Sequence, residues 1–482
     1  MLLSKSKYLC GLQCPLLLWV EFNDKKRIPS VGDSTQFRFD QGHLIGEYAK
    51  KLFPYGLNIP TSPFMANIKL TKKLLKQEKV LFEPGFMVDN LYSRADFLVP
   101  VNGKWDIIEV KSGTSVKDIN IHDIAFQKYC YIKSGLKIRK CFLMFVNNEY
   151  VRNGDINVNE LFVKQDISSE VDEAYIGIEK RIEKMFKIIS SKEPLKILGL
   201  NCNSPYECSL KSECWDFLED GNVFELCMGG KKSFELFNSG VLKIKDIPDN
   251  FELTVKQQIQ KECSLSGKPH ISPLEIKDFL KTLNYPLYFL DFETIATAVP
   301  LFDGVRPYQP VPFQFSLHVV QKDGSKKHFS FLSDGKSDPR KKFVSSLKKV
   351  LGSKGSIVVY NKSFESGILK ALGLFFPEEN KWVENVILRI VDLIIPFRNF
   401  SFYDNVQKGS ASLKKVLPAV TGKDYNKLEI ADGMTASLDF LRIIQGNVPD
   451  KEKEKIRKNL EKYCGLDTEG MVWIVDELKK RI

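Results

Sequence analysis

With 482 residues, the chain is long enough for two or three domains, each with its own core. Its 71 Lys and Arg against 60 Asp and Glu leave a net charge of +11, which favours an anionic partner such as nucleic acid. The 43% hydrophobic and 27% charged content is that of an ordinary globular protein, and no run approaches the ~20 apolar residues that cross a bilayer.

The LLLWV stretch after Cys14 and Pro15 is broken off by Glu21 and Asp24 and has no small-residue cleavage site, so no signal peptide is expected. These features point to a soluble, cytoplasmic protein. Residues 1–90 read as mostly helical, with His43 and, one turn later, Glu47 on the helix RFDQGHLIGEYAKKLFP. A strand is expected around Lys79–Met87. Strand-like stretches Ser93–Val101 and Asp106–Val110 then straddle an Asn102-Gly103 turn and deliver Asp96, Glu109 and Lys111. Strand alternation puts Glu109 and Lys111 on one face. Gln127 and Tyr131 follow on a helix-like segment. Two carboxylates can hold a divalent ion, and a neighbouring ammonium can polarise water or steady developing phosphorane charge. An E-x-K by itself is commonly a solvated ion pair. Here it sits in a strand–turn–strand–helix order with an upstream acid and a downstream Q-x-x-x-Y, which points to phosphodiester cleavage. A further strand is expected at Cys141–Val146 and an amphipathic helix over Asp172–Ser191.

Cys202, Cys208 and Cys214 come after that helix at regular gaps, and Cys14 lies in the N-terminal segment. In a chain without secretory features, such thiols read as metal ligands rather than disulfides. Three clustered cysteines need a fourth ligand; Cys14 is the natural one and Cys10 competes for the place. Cys130, Cys141, Cys227, Cys263 and Cys464 read as small buried thiols.

The arrangement D…E-x-K…Q-x-x-x-Y with these cysteines resembles the RecB-like branch of the PD-(D/E)xK nucleases, including the iron–sulfur CRISPR-associated exonuclease family. The resemblance covers residues 1–218. It implies a restriction-endonuclease-like α/β fold and a [4Fe–4S] cluster on Cys14, Cys202, Cys208 and Cys214. It also implies Mg2+ or Mn2+ on His43, Asp96 and Glu109, with Glu47 as an auxiliary carboxylate. Lys111 would act on water or the transition state, and Gln127 with Tyr131 would orient strand and lysine. Zinc is the chemical alternative at the thiols.

Residues 219–283 read as a small helical connector, faintly similar to a helix–hairpin–helix. Residues 284–482 open with PLYFLDFETI, an apolar strand ending in Asp291 and Glu293 on one face. GSIVVYNKSFESGIL comes next with Glu365, and EKYCGLDTEGM places Tyr463 and Asp467 one helical turn apart. The order D-x-E, N-x-x-F-E, Y-x-x-x-D resembles the DEDD exonucleases of DnaQ or RNase D type, with an RNase H-like fold. By that resemblance Asp291, Glu293, Glu365 and Asp467 hold two metal ions and Tyr463 aligns the attacking water; Glu365 departs from the usual Asp by one methylene. Segments carrying Arg306 and Gln314, Asp392 and Asp432 resemble an uncharacterised bacterial domain found behind RecB-like nucleases. Arg306 and Gln314 would then contact substrate, and Asp392 would join the metal site or cap a neighbouring element.

The sequence-level expectation is an α/β protein of three parts, 1–218, 219–283 and 284–482. It would be a metal-dependent exonuclease acting on single-stranded DNA ahead of RNA, in repair, recombination or phage defence, with a possible helicase or repair partner. The alternatives are a nucleic-acid-binding protein with one or both sites inactive, and an RNA-directed 3′→5′ exonuclease.

Overall fold

Asn102 and Gly103, both at positive φ (49° and 72°), close a tight hairpin in the first half of the chain, and the rest of that half is built outward from it. The computed structural model describes residues 1–426, 428–430, 432–446 and 448–482. Lys427 and Ala431, in the segment before Asp432, lie outside the described residues. The chain divides into two compact units, Met1–Phe217 with Thr297–Gln309, and Leu218–Ala296 with Pro310–Ile482. Both are mixed α/β, and among the described residues no helix is long and apolar enough to cross a membrane.

The first unit contains β1 (Leu3–Ser4), β2 (Leu57–Asn58), β3 (Leu81–Phe82), β4 (Gly85–Val88), β5 (Leu91–Arg94), β6 (Phe97–Val101), β7 (Lys104–Lys111), β8 (Ile138–Val146) and β9 (Phe162–Asp166). Its helices include α1 (Lys5–Gln13), α2 (Asp33–Lys50), α3 (Asp118–Lys133) and α4 (Ile178–Ile189). Six strands form one sheet in the order β2-β3-β6-β7-β8-β9, and β1-β5-β4 form a second. The hairpin pairs β6 with β7, and α3 crosses over to bring β8 parallel to β7. Trp105–Val110 of β7 are buried, apolar and acidic side chains alike, so the strand is covered on both faces. Ile107 joins Tyr8 of α1 and Phe126 of α3 in one core cluster, while Ile108 and Val110 join Ile45 and Ala49 of α2 in another. Glu109 and Lys111 share the parity of Ile107, so they fall on the side of α1 and α3.

Three expected elements are subdivided. The strand foreseen at Lys79–Met87 is β3 and β4, separated at Glu83, whose φ is 58°. The Ser93–Val101 strand is the end of β5 and all of β6, which belong to different sheets, so Asp96 sits at the crossing point. The Asp172–Ser191 helix is two helices, Ser168–Tyr175 and α4, divided at Gly177 with φ 72°.

The second unit adds β10 (His270–Ile271), β11 (Leu287–Ile295), β12 (Val311–Val320), β13 (Lys326–Leu332), β14 (Ile357–Val359), β15 (Ile390–Asp392) and β16 (Phe402–Tyr403). Its main sheet runs β13-β12-β11-β14-β15, with β12 antiparallel to both neighbours and β14 and β15 parallel to β11. The helices that matter for the site are α5 (Lys362–Phe375), α6 (Leu413–Thr421), α7 (Gly433–Ile444) and α8 (Asp450–Lys480). Leu290 and Phe292 pack with Phe343 and Leu369 on one face of β11; Leu287 and Phe289 pack with Leu417, Val472 and Val475 on the other. Asp291 and Glu293 have the parity of Leu287 and Phe289, which points them toward α6 and α8. Residues 219–283 contribute helices and β10, which pairs with β16 and so builds them into this unit.

Candidate functional site

The first unit gathers its titratable side chains from four elements. Asp96, at the crossing between β5 and β6, accepts a 2.7 Å hydrogen bond from the Val110 backbone N–H. Glu109 on β7 is 1% exposed; its Oε1 accepts from both Lys111 and Lys5, each at 2.7 Å, and its Oε2 accepts from Gln127 at 2.8 Å. Asp123 of α3 accepts from Lys111 at 3.0 Å and Gln127 at 2.9 Å, with the Lys5 ammonium 3.5 Å away. The Gln127 side-chain oxygen, buried, has no partner. Burial alone would raise the Glu109 carboxyl, but Lys111 and Lys5 outweigh it and hold it well below the usual range. Burial and then the Glu109 charge push Asp96 up to about 7. Burial works against the Lys111 ammonium, but Asp123 and Glu109 more than compensate and hold it well above its ordinary value.

Sequence reasoning named Asp96, Glu109, Lys111 and Gln127, and the structure brings the last three into one hydrogen-bonded group beside Asp96. It missed Lys5 and Asp123. Asp123 was detectable, being one turn before Gln127 on the same helical face. Lys5, one lysine of several in its segment, carried no local signal. Tyr131 is corrected: it is fully buried, its ring 4.3 Å from Phe86, and its hydroxyl donates to the Pro84 carbonyl at 3.4 Å rather than orienting Lys111. His43 is also corrected. It is exposed on α2, the helix that packs on Ile108 and Val110, the opposite face of β7 from Glu109. Glu47 is exposed and pairs with Lys50 at 2.6 Å. Arg306 and Tyr308 lie in Thr297–Gln309, which belongs to the first unit. Arg306 is half exposed, 3.8 Å from Glu149, and the Tyr308 hydroxyl donates to the Ser112 carbonyl.

The thiols of the same unit converge on Cys208. Cys202, Cys208 and Cys214 are buried and Cys14 is half-buried. The Cys208 thiol is raised by burial, then by Cys14 and Cys202; Cys214 is pushed to about 11 by burial, then by Cys208. Cys10 rises to about 11 by burial first, with Cys208 again among its charged neighbours. Gln13 locks the two segments together: its Nε2 donates to the Asn201 and Tyr206 carbonyls at 2.8 Å each, and Asn201 donates back to the Gln13 carbonyl at 2.8 Å. Tetrahedral zinc with ~2.3 Å bonds needs sulfurs ~3.8 Å apart. Among the described residues the group with three ligand atoms all within 4.8 Å is Asp291, Glu293 and Cys464, not these thiols. Four thiols from these two segments make a donor set that suits zinc and an iron–sulfur cluster alike.

The second unit holds a more acidic pocket, a cavity of about 380 Å3 whose walls include Asp291, Glu293, Tyr360, Lys414, Tyr463 and Asp467. Tyr463, Cys464 and Asp467 come from α8, which is 31 residues long and places them on neighbouring turns. The Cys464 thiol donates to Asp291 Oδ2 at 3.5 Å, and the Tyr425 hydroxyl to Asp467 Oδ1 at 2.6 Å. Glu365, in the first turn of α5, is 1% exposed and its Oε2 has no partner. Burial raises every carboxyl here, joined by repulsion from neighbouring carboxylates at Asp291, Glu293 and Glu365: Glu365 to about 9, Asp467 to about 7, Asp291 and Glu293 well above their ordinary values. Lys414 opposes the shift at Glu293 and Asp467. Four crowded carboxyls, one with a buried unpaired oxygen, suit divalent cations. Asp392 caps instead of joining them: its oxygens accept from the backbone N–H groups of Asn361 at 3.0 Å and Lys362 at 3.1 Å, at the start of α5. Gln314 is fully buried, pairs with Glu293 across the sheet and donates to the Leu460 carbonyl at 2.9 Å, which corrects its expected role as a substrate contact. Tyr425 and Lys414 were missed, Lys414 in a segment with no motif of its own and Tyr425 at the start of the segment before Asp432, and Cys464 was read only as a small buried thiol.

Residues 288–412 match the model of a domain of unknown function (DUF2779). That stretch includes Asp291, Glu293 and Glu365 and stops before Tyr425, Tyr463 and Asp467. An uncharacterized protein of Ureaplasma parvum is 26% identical over 227 residues, covering 42% of this chain and 32% of that protein. One of Mycoplasma pneumoniae is 26% identical over 219 residues, covering 42% and 33%. The chain thus spans about a third of the length of these two relatives. An uncharacterized protein of Mycoplasma genitalium is 21% identical over 581 residues, covering 92% of this chain and 86% of that protein.

Proposed function

We propose that the chain is a metal-dependent nuclease with two phosphodiester-cleaving sites, an iron–sulfur-stapled PD-(D/E)xK site in the first unit and a DEDD-type site in the second. The observation that carries the reading is the first site's buried group of Asp96, Glu109, Lys111, Asp123 and Gln127, where an acid–lysine pair two residues apart on β7 meets two side chains of α3. A five-stranded mixed sheet with β12 as its antiparallel member supports the RNase H-like reading of the second unit. A net charge of +11 suits a nucleic-acid partner.

In the first site Asp96 and Glu109 are the residues that would hold Mg2+ or Mn2+, which supplies Lewis-acid activation and neutralises phosphate charge. Lys111, fixed by Glu109 and Asp123, keeps a proton on its ammonium and offers it to developing charge on the phosphate. Gln127 fixes both acids through one amide nitrogen and so preorganises the pair. In the second site Asp291, Glu293, Glu365 and Asp467 form the ligand set. Tyr463 borders the same cavity, one turn from Asp467, where its hydroxyl can orient a water. The thiols of Cys14, Cys202, Cys208 and Cys214 would hold a [4Fe–4S] cluster that ties the N-terminal helices to the end of the unit. Single-stranded DNA is the proposed substrate, in repair or defence in the cytoplasm, with a helicase as the kind of partner such enzymes serve.

The test is a time course on single-stranded DNA labelled separately at each end, with Mn2+, using wild type, Lys111→Ala and Asp291→Ala. Each variant is expected to remove one distinct activity. Cleavage that survives unchanged in both variants would refute both assignments. A second reading, a binding-only second unit, is favoured by Glu365, whose extra methylene can misplace a ligand by about an ångström, a displacement that costs ~10²-fold. Glu365→Asp raising activity at that site would decide for a weakened enzyme.

A further inference from the structure

Lys5 is brought to the first site by backbone pairing rather than by chance reach. Leu3 donates to the Asn90 carbonyl at 2.8 Å, and β1 lies parallel to β5 with Leu3 opposite Leu91 and Ser4 opposite Tyr92. Ser4 then caps α1, whose first residue is Lys5. The far end of α1 is fastened by the reciprocal Gln13–Asn201 hydrogen bonds, so the helix is held at both ends. The Lys5 side chain is only 25% exposed, and its ammonium lies 2.7 Å from Glu109 Oε1 and 3.5 Å from Asp123.

The consequence lies in the lone pairs of Glu109. Lys5 and Lys111 both donate to Oε1, and Gln127 donates to Oε2, so three donors engage the carboxylate proposed as a metal ligand. Oε1 already accepts two hydrogen bonds, so a divalent ion that binds through Oε1 must displace Lys5 or Lys111. Lys111 has a second, 3.0 Å bond to Asp123, and Gln127 has a 2.9 Å bond to the same residue, whereas Lys5 stands 3.5 Å from it. Lys5 is therefore the donor least supported elsewhere. The three carboxylates Asp96, Glu109 and Asp123 face two ammonium groups, so the tethered cation also offsets charge that the ion would otherwise neutralise.

We infer that Lys5 is a built-in competitor of the divalent ion at the first site: its ammonium holds the Glu109 oxygen until the ion arrives and is then released from it. The inference rests on the metal-site reading of Asp96 and Glu109 given above. It makes Lys5 a positioning residue that sets the metal concentration at which the site loads, and it predicts that removing its charge strengthens metal binding.

The test uses the full chain, purified anaerobically, with Asp291→Asn in every sample to weaken binding at the second site. Mn2+ alone is titrated and free ion is followed by electron paramagnetic resonance. Lys5→Met and Lys5→Gln are expected to bind Mn2+ about tenfold more tightly than the parent, after discounting the Coulomb term for a side chain partly in water, and Lys5→Arg to bind as the parent does. In the parent itself, amine acetylation read by mass spectrometry should label Lys5 faster when Mn2+ is saturating. Unchanged or weaker Mn2+ binding in the neutral variants, or Lys5 labelling indifferent to Mn2+, overturns the inference. Glu109→Gln separates this from its premise: if that variant binds Mn2+ as the parent does, the metal-site reading fails and the inference falls with it.

Discussion

Replacing Glu365 by glutamine should make the metal-free protein more stable, although it removes a proposed ligand. Glu365 is 1% exposed, one oxygen has no partner, and burial followed by the Asp291 charge lifts its carboxyl from an ordinary 4.5 to about 9. A carboxyl raised in the folded state keeps its proton while the unfolded chain gives it up. Stability is therefore greatest below about pH 4.5, falls as pH rises, and levels off above about pH 9. At pH 7 the accumulated gap is roughly 2.5 pH units, or ~3.5 kcal/mol at ~1.4 kcal/mol per unit. Glutamine carries no such penalty, but its two N–H donors need acceptors in a buried pocket, which offsets ~1 kcal/mol. The remaining ~2.5 kcal/mol corresponds to a melting temperature ~5–10 °C above wild type for a unit of this size. Calorimetry in chelator at pH 7 and again near pH 5 measures it. A variant no more stable than wild type at pH 7, or an advantage that does not shrink at the lower pH, would refute the claim that this carboxyl is held unpaired and unscreened. Added Mn2+ should stabilise wild type more than the variant.

Three further outcomes are expected. Tyr425→Phe deletes the 2.6 Å bond that opposes the burial-driven rise of Asp467, so the acid limb of the proposed second-site activity should move to higher pH; a pH–rate profile that does not move contradicts it. Phe313→Ala removes a fully buried ring stacked 3.9 Å from Phe440 and should cost ~3–5 kcal/mol in a denaturant titration, with a loss under ~1 kcal/mol as the contrary result. Anaerobically purified protein should be brown and carry iron, and Cys208→Ser should lose the iron and loosen the first unit, as proteolysis would report. Colourless protein with stoichiometric zinc would point to the other thiolate chemistry.

Local chemistry made parts of both sites legible in the sequence. The Asn102-Gly103 turn required two left-handed residues and so predicted the β6–β7 hairpin, with it the alternation that sets Glu109 beside Lys111. Helical spacing likewise placed Tyr463 with Asp467, and an apolar strand placed Asp291 with Glu293, because periods of 3.6 and 2 are properties of the backbone itself. Where an expectation failed, the deciding contact was non-local. Tyr131 occupies the right helical position, yet its ring is drawn into the core against Phe86. His43 lies on a helix whose apolar stripe, Ile45 and Ala49, claims the opposite face of β7, a choice that no spacing within the helix records. Gln314 is polar but is buried by its register opposite Glu293.

Local residue order sets the alternation of α and β elements and the pairs of reactive residues that lie within one strand or one helical turn. Tertiary structure alone decided which distant side chains complete each pair: Lys5, 104 residues from Glu109, and Tyr425, 42 residues from Asp467. The physical reason is that an ammonium or a phenol has no periodic signature. It becomes part of a site only when strand pairing and helix packing carry it there and burial makes its charge or hydrogen bond count.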